Sequence, residues 1–539
     1  MTFHRNPIRG SRGMAVAPHA LASQSALAIL REGGNAVEAM IAAAATIAVA
    51  YPHMNSIGGD SFWLIARPNE APRGLEACGA AAEAASIERY REAGFATIPF
   101  RGGMAANTVA GTVAGWHAAR TWSRETLGGR MPLSRLLADA IGYARHGVPV
   151  THSQAACVAA RAHELSGITG FAETFLAGGA PPLAGARFCQ PRLAATLEQL
   201  VEAGLDDFYR GDLARSIAQD LAAVGSPLSL QDLAEHRAVW KTPLVLAHSR
   251  GRVYNMPPPT QGLVSLQILG QLDRLLDLLP ARAMASTGAP YVHACVEATK
   301  QAFLARDRHI TDPAYMDVDP RDLLAPAWLD AAAARIRPDR ALPWGEGMGP
   351  ADTVWMGVVD AEGVAVSFIQ SIYHEFGSGV VLPASGINWQ NRGCSFSLDP
   401  AARNPLMPGR KPFHTLNPAL ARLADGRTLV YGNMGGDGQP QSQSAVFSRI
   451  VHFGMNPQAA IDAPRWLLGR TWGQTTDTLK LEARFPQPTC DALRALGHDI
   501  EILQPYDETM GHAGAIVLHP NGLYEGGADP RGDGAVASW

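Results

Sequence analysis

The sequence predicts an α+β fold, and two observations carry that prediction. Up to about residue 350 the recurrent pattern is helical, with apolar residues at amphipathic spacing. Beyond that point the texture changes to β-branched, alternating segments, so a composition boundary lies near residue 350. At about 150 residues per domain, a chain of 539 residues has room for three or four. Hydrophobic residues make up 47% and charged residues 17%, enough apolar surface to offset the entropy of ordering. A disordered chain is excluded.

The elements follow in order. Residues 21–32, LASQSALAILRE, read as a helix closed by Gly33-Gly34-Asn35, with Asn35 a fresh N-cap. The next helix, roughly Ala36 to Tyr51, is almost all small and apolar. Its longest apolar run, Ala39 to Tyr51, is 13 residues, too short to span a bilayer, so it is a buried helix. Pro52-His53 ends it, and SIGGDSFWLIAR is a Gly-rich turn entering a strand. Residues 213–224 and 230–240 carry the amphipathic period. Met256-Pro257-Pro258-Pro259-Thr260 excludes helix and central strand, and reads as a rigid connector. Ala281 to Arg337 is helical again, and the loop RPDRALPWGEGMGPAD leads out of it. Residues 353–360 and 363–369 form a β-hairpin about Asp360-Ala361-Glu362-Gly363. Residues 379–385 and 427–433 read as further strands.

Charge and cysteine usage exclude several classes. Lys plus Arg number 45 against 49 Asp plus Glu, a net charge of −4 that argues against nucleic-acid binding. Cys78, Cys157, Cys189, Cys295, Cys394 and Cys490 lie far apart without a CxxC pair. A zinc ribbon or a dense disulfide scaffold is therefore not expected. The N-terminal residues are basic with no apolar run behind them, so no signal peptide or membrane association is expected. The expectation is a soluble cytoplasmic protein. No metal is expected either, because His374-Glu375 is not HExxH and the remaining histidines lack ligand spacing. A GxSxG elbow is absent.

Two segments offer chemistry. In TLVYGNMGGDGQPQSQSAVFSRIV a strand, a loop with Gly432, Gly435, Gly436 and Gly438, and a helix follow one another. Backbone N–H groups at such a helix start can cradle an anion or a developing oxyanion. The loop matches neither the Walker A nor the dinucleotide spacing, which leaves a nucleotide-binding oxidoreductase as a remote reading. The second segment is Asp352-Thr353, where a Gly/Pro-rich loop enters the hairpin. Taken alone, this is an ordinary strand-starting Thr. A Thr freed at a chain terminus, however, unites a hydroxyl nucleophile with an α-amine whose pKa of about 8 suits a general base.

With these segments in view, the chain resembles the γ-glutamyltranspeptidase family of N-terminal-nucleophile hydrolases over nearly its whole length. The matches are MAVAPHALASQSALAILREGGNAVEA, SIGGDSF, TVAGTVAGW, FYRGDLARSIA, VYNMPPPTQG and DTVWMGVVDAEGVAVSF, then FGSGVVLPASGI, MPGRKPFHTLNP, GNMGGDG and ADPRGDG. The resemblance implies a four-layer αββα sandwich that cleaves itself between Asp352 and Thr353 without a cofactor. The products would be a large chain, 1–352, and a small chain, 353–539, joined in one body. It implies Thr353 as nucleophile, its α-amine as base, and Ser371 as the second hydroxyl beside it. Gly435 and Gly436 match the oxyanion-hole glycines, and a dimer of the processed heterodimer stays open.

Departures from the family pattern bear on the substrate. The Arg that clamps a glutamyl α-carboxylate is replaced by Cys78, within Glu76-Ala77-Cys78-Gly79-Ala80-Ala81. At the amine-binding positions stand Tyr373, Arg392 and Ser395, and the paired serines become His414 and Thr415. The expected pocket has lost its negative charge and gained a guanidinium, unless Arg392 faces away or pairs with Glu375 or Asp437. This pattern resembles the oxamate amidohydrolase branch, which implies hydrolysis of oxamate to oxalate and ammonia in purine-ureide breakdown. A glutathione hydrolase or transpeptidase and an unprocessed, non-catalytic binding protein are the alternatives.

Overall fold

A computed structural model describes residues 5–276, 285–344, 352–470 and 476–539. Its first long elements form as the sequence dictates. The helix Ala20–Arg31 gives way to Gly33 at φ 88°, a left-handed turn that glycine adopts without strain. The helix Ala36–Ala50 opens with a capping box: Asn35 accepts from the Val37 and Glu38 N–H groups, and Glu38 accepts from the Asn35 N–H. All of its residues are buried, and the many alanines let neighbouring helices approach closely.

Two seven-stranded sheets form the centre. From edge to edge, the first runs Ile8–Gly10, Tyr524–Ala528, Ala513–Leu518, Thr428–Asn433, Ala419–Leu423, Gly251–Asn255 and Leu244–His248. The second runs Ala535–Ser538, Met14–Ala17, Asp352–Val359, Ala365–Tyr373, Asp60–Ala66, Arg73–Ala77 and Val239–Lys241. Phe62, Leu64, Trp355 and Ile369 from one inner face meet Tyr254, Leu420, Val430 and Ile516 from the other. Helices Ala36–Ala50 and Thr112–Thr126 cover the outside of the second sheet, and Leu133–His146 packs on the first of them. Helices Gly262–Leu275 and Gly438–Val451 cover the outside of the first. The layers are α, β, β and α, in one body rather than three or four domains. Both sheets draw strands from either side of residue 352, so neither segment could complete a sheet alone.

The hairpin is as expected, over Asp352–Val359 and Ala365–Tyr373. Its turn is held by Asp360, which accepts from the Val364 N–H and from the Ala36 N–H at the helix start, both at 2.8 Å. Burial pushes that carboxyl up to about 6.

Three expected elements differ. The helix begun at Leu230 ends at Glu235, and Val239–Lys241 is an edge strand paired with Arg73–Ala77. There the β-branched and aromatic pair Val239-Trp240 finds a strand partner, which outweighs the helical period. In place of one helical run to Arg337, the described part has helices Ala289–His309 and Pro326–Ala333, separated by short 3₁₀ turns where Pro313 and Pro320 lie. Residues 281–284 lie outside the described chain. Residues 379–385 form no strand, only a bridge from Val381 to Asn388, since Gly379 is left-handed at φ 74° and Pro383 lacks a donor.

The second sheet sets the site's location. Asp60 pairs directly with Ser371, and the strand of Ser371 pairs with that of Thr353. Gly59 precedes them in close contact, since a Cβ there would lie 2.1 Å from the Ser371 carbonyl oxygen. Gly59→Ala is therefore expected to destabilise the protein by at least ~3 kcal/mol, the upper range for overpacking against backbone. An unchanged thermal unfolding midpoint would show that the strands are not held this tightly.

Candidate active site

Thr353 is the second residue of its strand and is buried. Alternation sends Val354 and Met356 toward the outer helices and Trp355 and Val359 between the sheets. Thr353 shares the inter-sheet side. The pairing register jumps from Asp352–Tyr373 to Val354–Gln370, a bulge that sets Ser371 and Ile372 opposite Thr353. The Ser371 Oγ accepts from the Tyr373 N–H at 2.8 Å, and Tyr373 has φ 80°. Residues 345–351, leading to Asp352, lie outside the described chain, so only the backbone pairing of Asp352 is placed.

Facing this strand is the turn that enters Gly438–Val451. Gly435 and Gly436 have φ 121° and 52°, a path that any Cβ would strain. Their carbonyls point into the turn: the Gly435 oxygen accepts from the Gly438 N–H and the Gly436 oxygen from the Gln439 N–H. Gln439, in the first helical turn, donates from Nε2 to Thr353 Oγ1 at 3.4 Å. A helix N-terminus therefore abuts the hydroxyl, and helix N-termini favour developing negative charge.

The guanidinium of Arg392 lies 3.5 Å over the Tyr373 ring, and Nη1 donates to Thr415 Oγ1 at 3.4 Å. Tyr373 stacks on His374, whose ring meets that of Phe100. Neither expected competitor takes Arg392. Glu375 pairs with Arg161 at 2.8 Å, and Asp437 pairs with Arg306 at 3.0 Å. Arg392 is only 2% exposed, yet its Nε and Nη2 have no hydrogen-bond partner among the described residues. Burial works against its charge and lowers the guanidinium from its ordinary value. Ser395 is more peripheral, donating to the Phe413 carbonyl at 3.3 Å.

The structure adds a carboxylate near Arg392 that was not expected there. Asp60 is buried, with Oδ1 accepting from the Gly79 and Gly111 N–H groups at 3.2 and 3.0 Å. Its Oδ2 faces His414 Nε2 at 3.6 Å. Burial raises the Asp60 carboxyl to about 7, against the pull of these donors and of Arg392. The same burial, with Arg392 and Lys411 nearby, pushes His414 well down, so its ring is neutral. Cys78 lies near Asp60 with its thiol pushed up by burial, and Lys411 beyond it is paired with Glu76.

The proline-rich segment also proves to be more than a connector. Gln261, directly after it, donates from Nε2 to the Thr415 and Gly436 carbonyls, both at 2.9 Å. One buried amide thus ties the Arg392 side of the pocket to the glycine turn. Asn417 extends the link, donating to the Thr415 carbonyl and to Gln439 Oε1, which holds Gln439 against Thr353. Asp60, Gln261, Asn417 and Gln439 were all missed in the sequence. Only their place inside the segments SIGGDSF, PPPTQG, FHTLNP and GGDGQ pointed toward them.

The comparisons fit this geometry. The family model for gamma-glutamyltranspeptidase matches residues 22–539. The chain is 59% identical to an oxamate amidohydrolase proenzyme of Klebsiella pneumoniae over 98% of this chain and 99% of that protein. It is 39% identical to a glutathione hydrolase-like proenzyme of Bacillus subtilis, over 98% of both chains. Among solved structures, a cephalosporin acylase from Bacillus halodurans superposes with a TM-score of 0.90 at 33% identity, covering 100% of this chain and 98% of that one. The chain is therefore a member of the gamma-glutamyltranspeptidase family.

Proposed function

We propose that the chain cleaves itself between Asp352 and Thr353 and then hydrolyses a small carboxylate-bearing amide, oxamate above others. The observation that carries this reading is the buried guanidinium of Arg392, which has no hydrogen-bonded carboxylate and is linked through Thr415, Asn417 and Gln439 to the Thr353 hydroxyl. The 59% identity to an oxamate amidohydrolase proenzyme supports the same substrate. Cys78, in place of a clamping Arg, speaks against a γ-glutamyl donor, because a bidentate carboxylate contact is lost. Lys411 does not stand in for it, being paired with Glu76.

In this mechanism the freed Thr353 amine takes the hydroxyl proton as Oγ1 attacks the amide carbon. Backbone N–H groups of Gly435 and Gly436 receive the oxyanion, Gln439 orients the hydroxyl, and Ser371 supports the amine. Collapse breaks the C–N bond, and the ammonium returns its proton to the leaving nitrogen, which departs as ammonia. Water then attacks the oxalyl ester of Thr353, releasing oxalate and restoring the hydroxyl. Arg392 holds the substrate carboxylate throughout, on the face of Tyr373, with Thr415 and His414 closing the subsite and Ser395 at its margin. A cytoplasmic setting belongs to the same reading, supported by six cysteines of which none is paired. No described helix is long and apolar enough to cross a membrane.

Thr353→Ala is expected to leave a single uncleaved chain with no ammonia release from oxamate. Intact mass and an ammonia assay on the same sample read both, and a cleaved, active variant would refute the proposal. Arg392→Ala should raise KM for oxamate by ~10–100-fold, the equivalent of about 1.5–3 kcal/mol for a charged contact, with a smaller change in kcat. Unchanged KM in that variant would remove Arg392 from the subsite. Faster turnover of a γ-glutamyl anilide than of oxamate by the wild-type enzyme would transfer the assignment to glutathione hydrolysis.

A further inference from the structure

We infer that Asp60 couples anion binding to proton uptake: an anionic substrate enters beside Arg392 together with one proton, and Asp60 accepts it. The inference rests on the proposed carboxylate subsite and deepens it. Asp60 is directly opposite Ser371 on the inner face of the sheet, and one oxygen is fixed by two backbone N–H groups. Those donors cannot drift. A Cβ on Gly79 would fall 1.8 Å from the Val109 carbonyl oxygen, and one on Gly111 would fall 2.3 Å from that of Ala77. The other oxygen faces His414 Nε2 at 3.6 Å, and Thr415, the next residue, accepts from Arg392 Nη1 at 3.4 Å.

The charges then decide the outcome. In the empty pocket, an ionised Asp60 offsets the buried Arg392. A substrate carboxylate brings a second anion toward the same guanidinium, among buried groups where the repulsion is weakly screened. Two carboxylates sharing one site raise the proton affinity of one of them. Asp60 is the one already poised to accept, since its second oxygen has no hydrogen-bond donor among the described residues and burial outweighs the groups that favour its charge, bringing the carboxyl to about 7. The groups around it do not substitute for it. His414 and Arg392 are disfavoured as proton acceptors, Cys78 is held neutral by burial, and Tyr209 donates its hydroxyl to the Ala110 carbonyl. Further out, Glu76 with Lys411 and Asp437 with Arg306 are paired already. The other candidate is the Thr353 α-amine after the proposed cleavage, and the variants below separate it from Asp60.

Calorimetric titration of the processed enzyme with oxalate at pH 8, in two buffers of different ionisation heat, measures the protons taken up. Close to one proton per oxalate is expected for the wild type, with affinity falling about tenfold per pH unit above 8. In Asp60→Asn, which keeps an oxygen for Gly79 and Gly111, uptake should vanish and oxalate should bind more tightly than to the wild type at pH 8. His414→Gln should keep the uptake. Binding to the wild type without uptake overturns the inference. So does uptake that persists in Asp60→Asn, which would place the proton on the amine or the ligand, or uptake lost in His414→Gln. The wild-type titration stands alone if a variant does not fold. Proton-linked oxalate binding without oxamate turnover would uphold Asp60 and refute the proposed substrate, whereas no oxalate binding at millimolar concentration would refute both.

Discussion

Strand Asp352–Val359 is covered on both faces, and that constraint governs the rest of the molecule. A strand without a solvent face must satisfy every backbone group by pairing and fill both surfaces with side chains. Its neighbours Met14–Ala17 and Ala365–Tyr373 supply the pairing. Its outward residues meet the alanine-rich helix Ala36–Ala50, and its inward ones meet the opposite sheet. At the start of this strand Thr353 lies at a bulge, buried, with its hydroxyl accepting from Gln439, a placement that suits the role proposed for it.

The buried cations show how differently one fold can treat the same group. Arg531 and Arg465 lie among Asp529 and Glu482 and are fully compensated. Arg449 spends its donors on the carbonyls of Ala460, Ser286 and Pro464. Arg306 balances Asp437 beneath the glycine turn. Arg392 differs from these four: its hydrogen bond goes to a hydroxyl, with no carboxylate or carbonyl partner among the described residues. A buried charge without a hydrogen-bonded counter-ion is costly, and structures that keep one generally use it.

The pocket is also built from parts that reach it from far apart in the chain. Gln261 and Asp60 come from the segment before Thr353, and Arg392, Thr415 and Gln439 come from the segment after it. Because the two segments share both sheets, a cut between them would leave these contacts in place. That is the physical basis on which a processed form can keep the geometry of its precursor.

Much of this was legible in the residues themselves. The capping box at Asn35, the hairpin about Asp360 and the glycines of the turn are local matters, settled by nearest neighbours and backbone sterics. Short-range patterning misled where pairing partners were remote, as for Val239–Lys241, whose strand exists because Arg73–Ala77 lies beside it. Motif resemblance indicated Thr353 and Arg392 but could not say that Glu375 and Asp437 are spoken for by other arginines. Nor could it show Asp60 beside His414, because 354 positions separate the two, while the carboxyl and the ring come within 3.6 Å. Sequence alone determined which groups are present and how each short segment bends. Tertiary structure decided which charges meet, because electrostatic interaction depends on distance and burial, and neither is a property of a single segment.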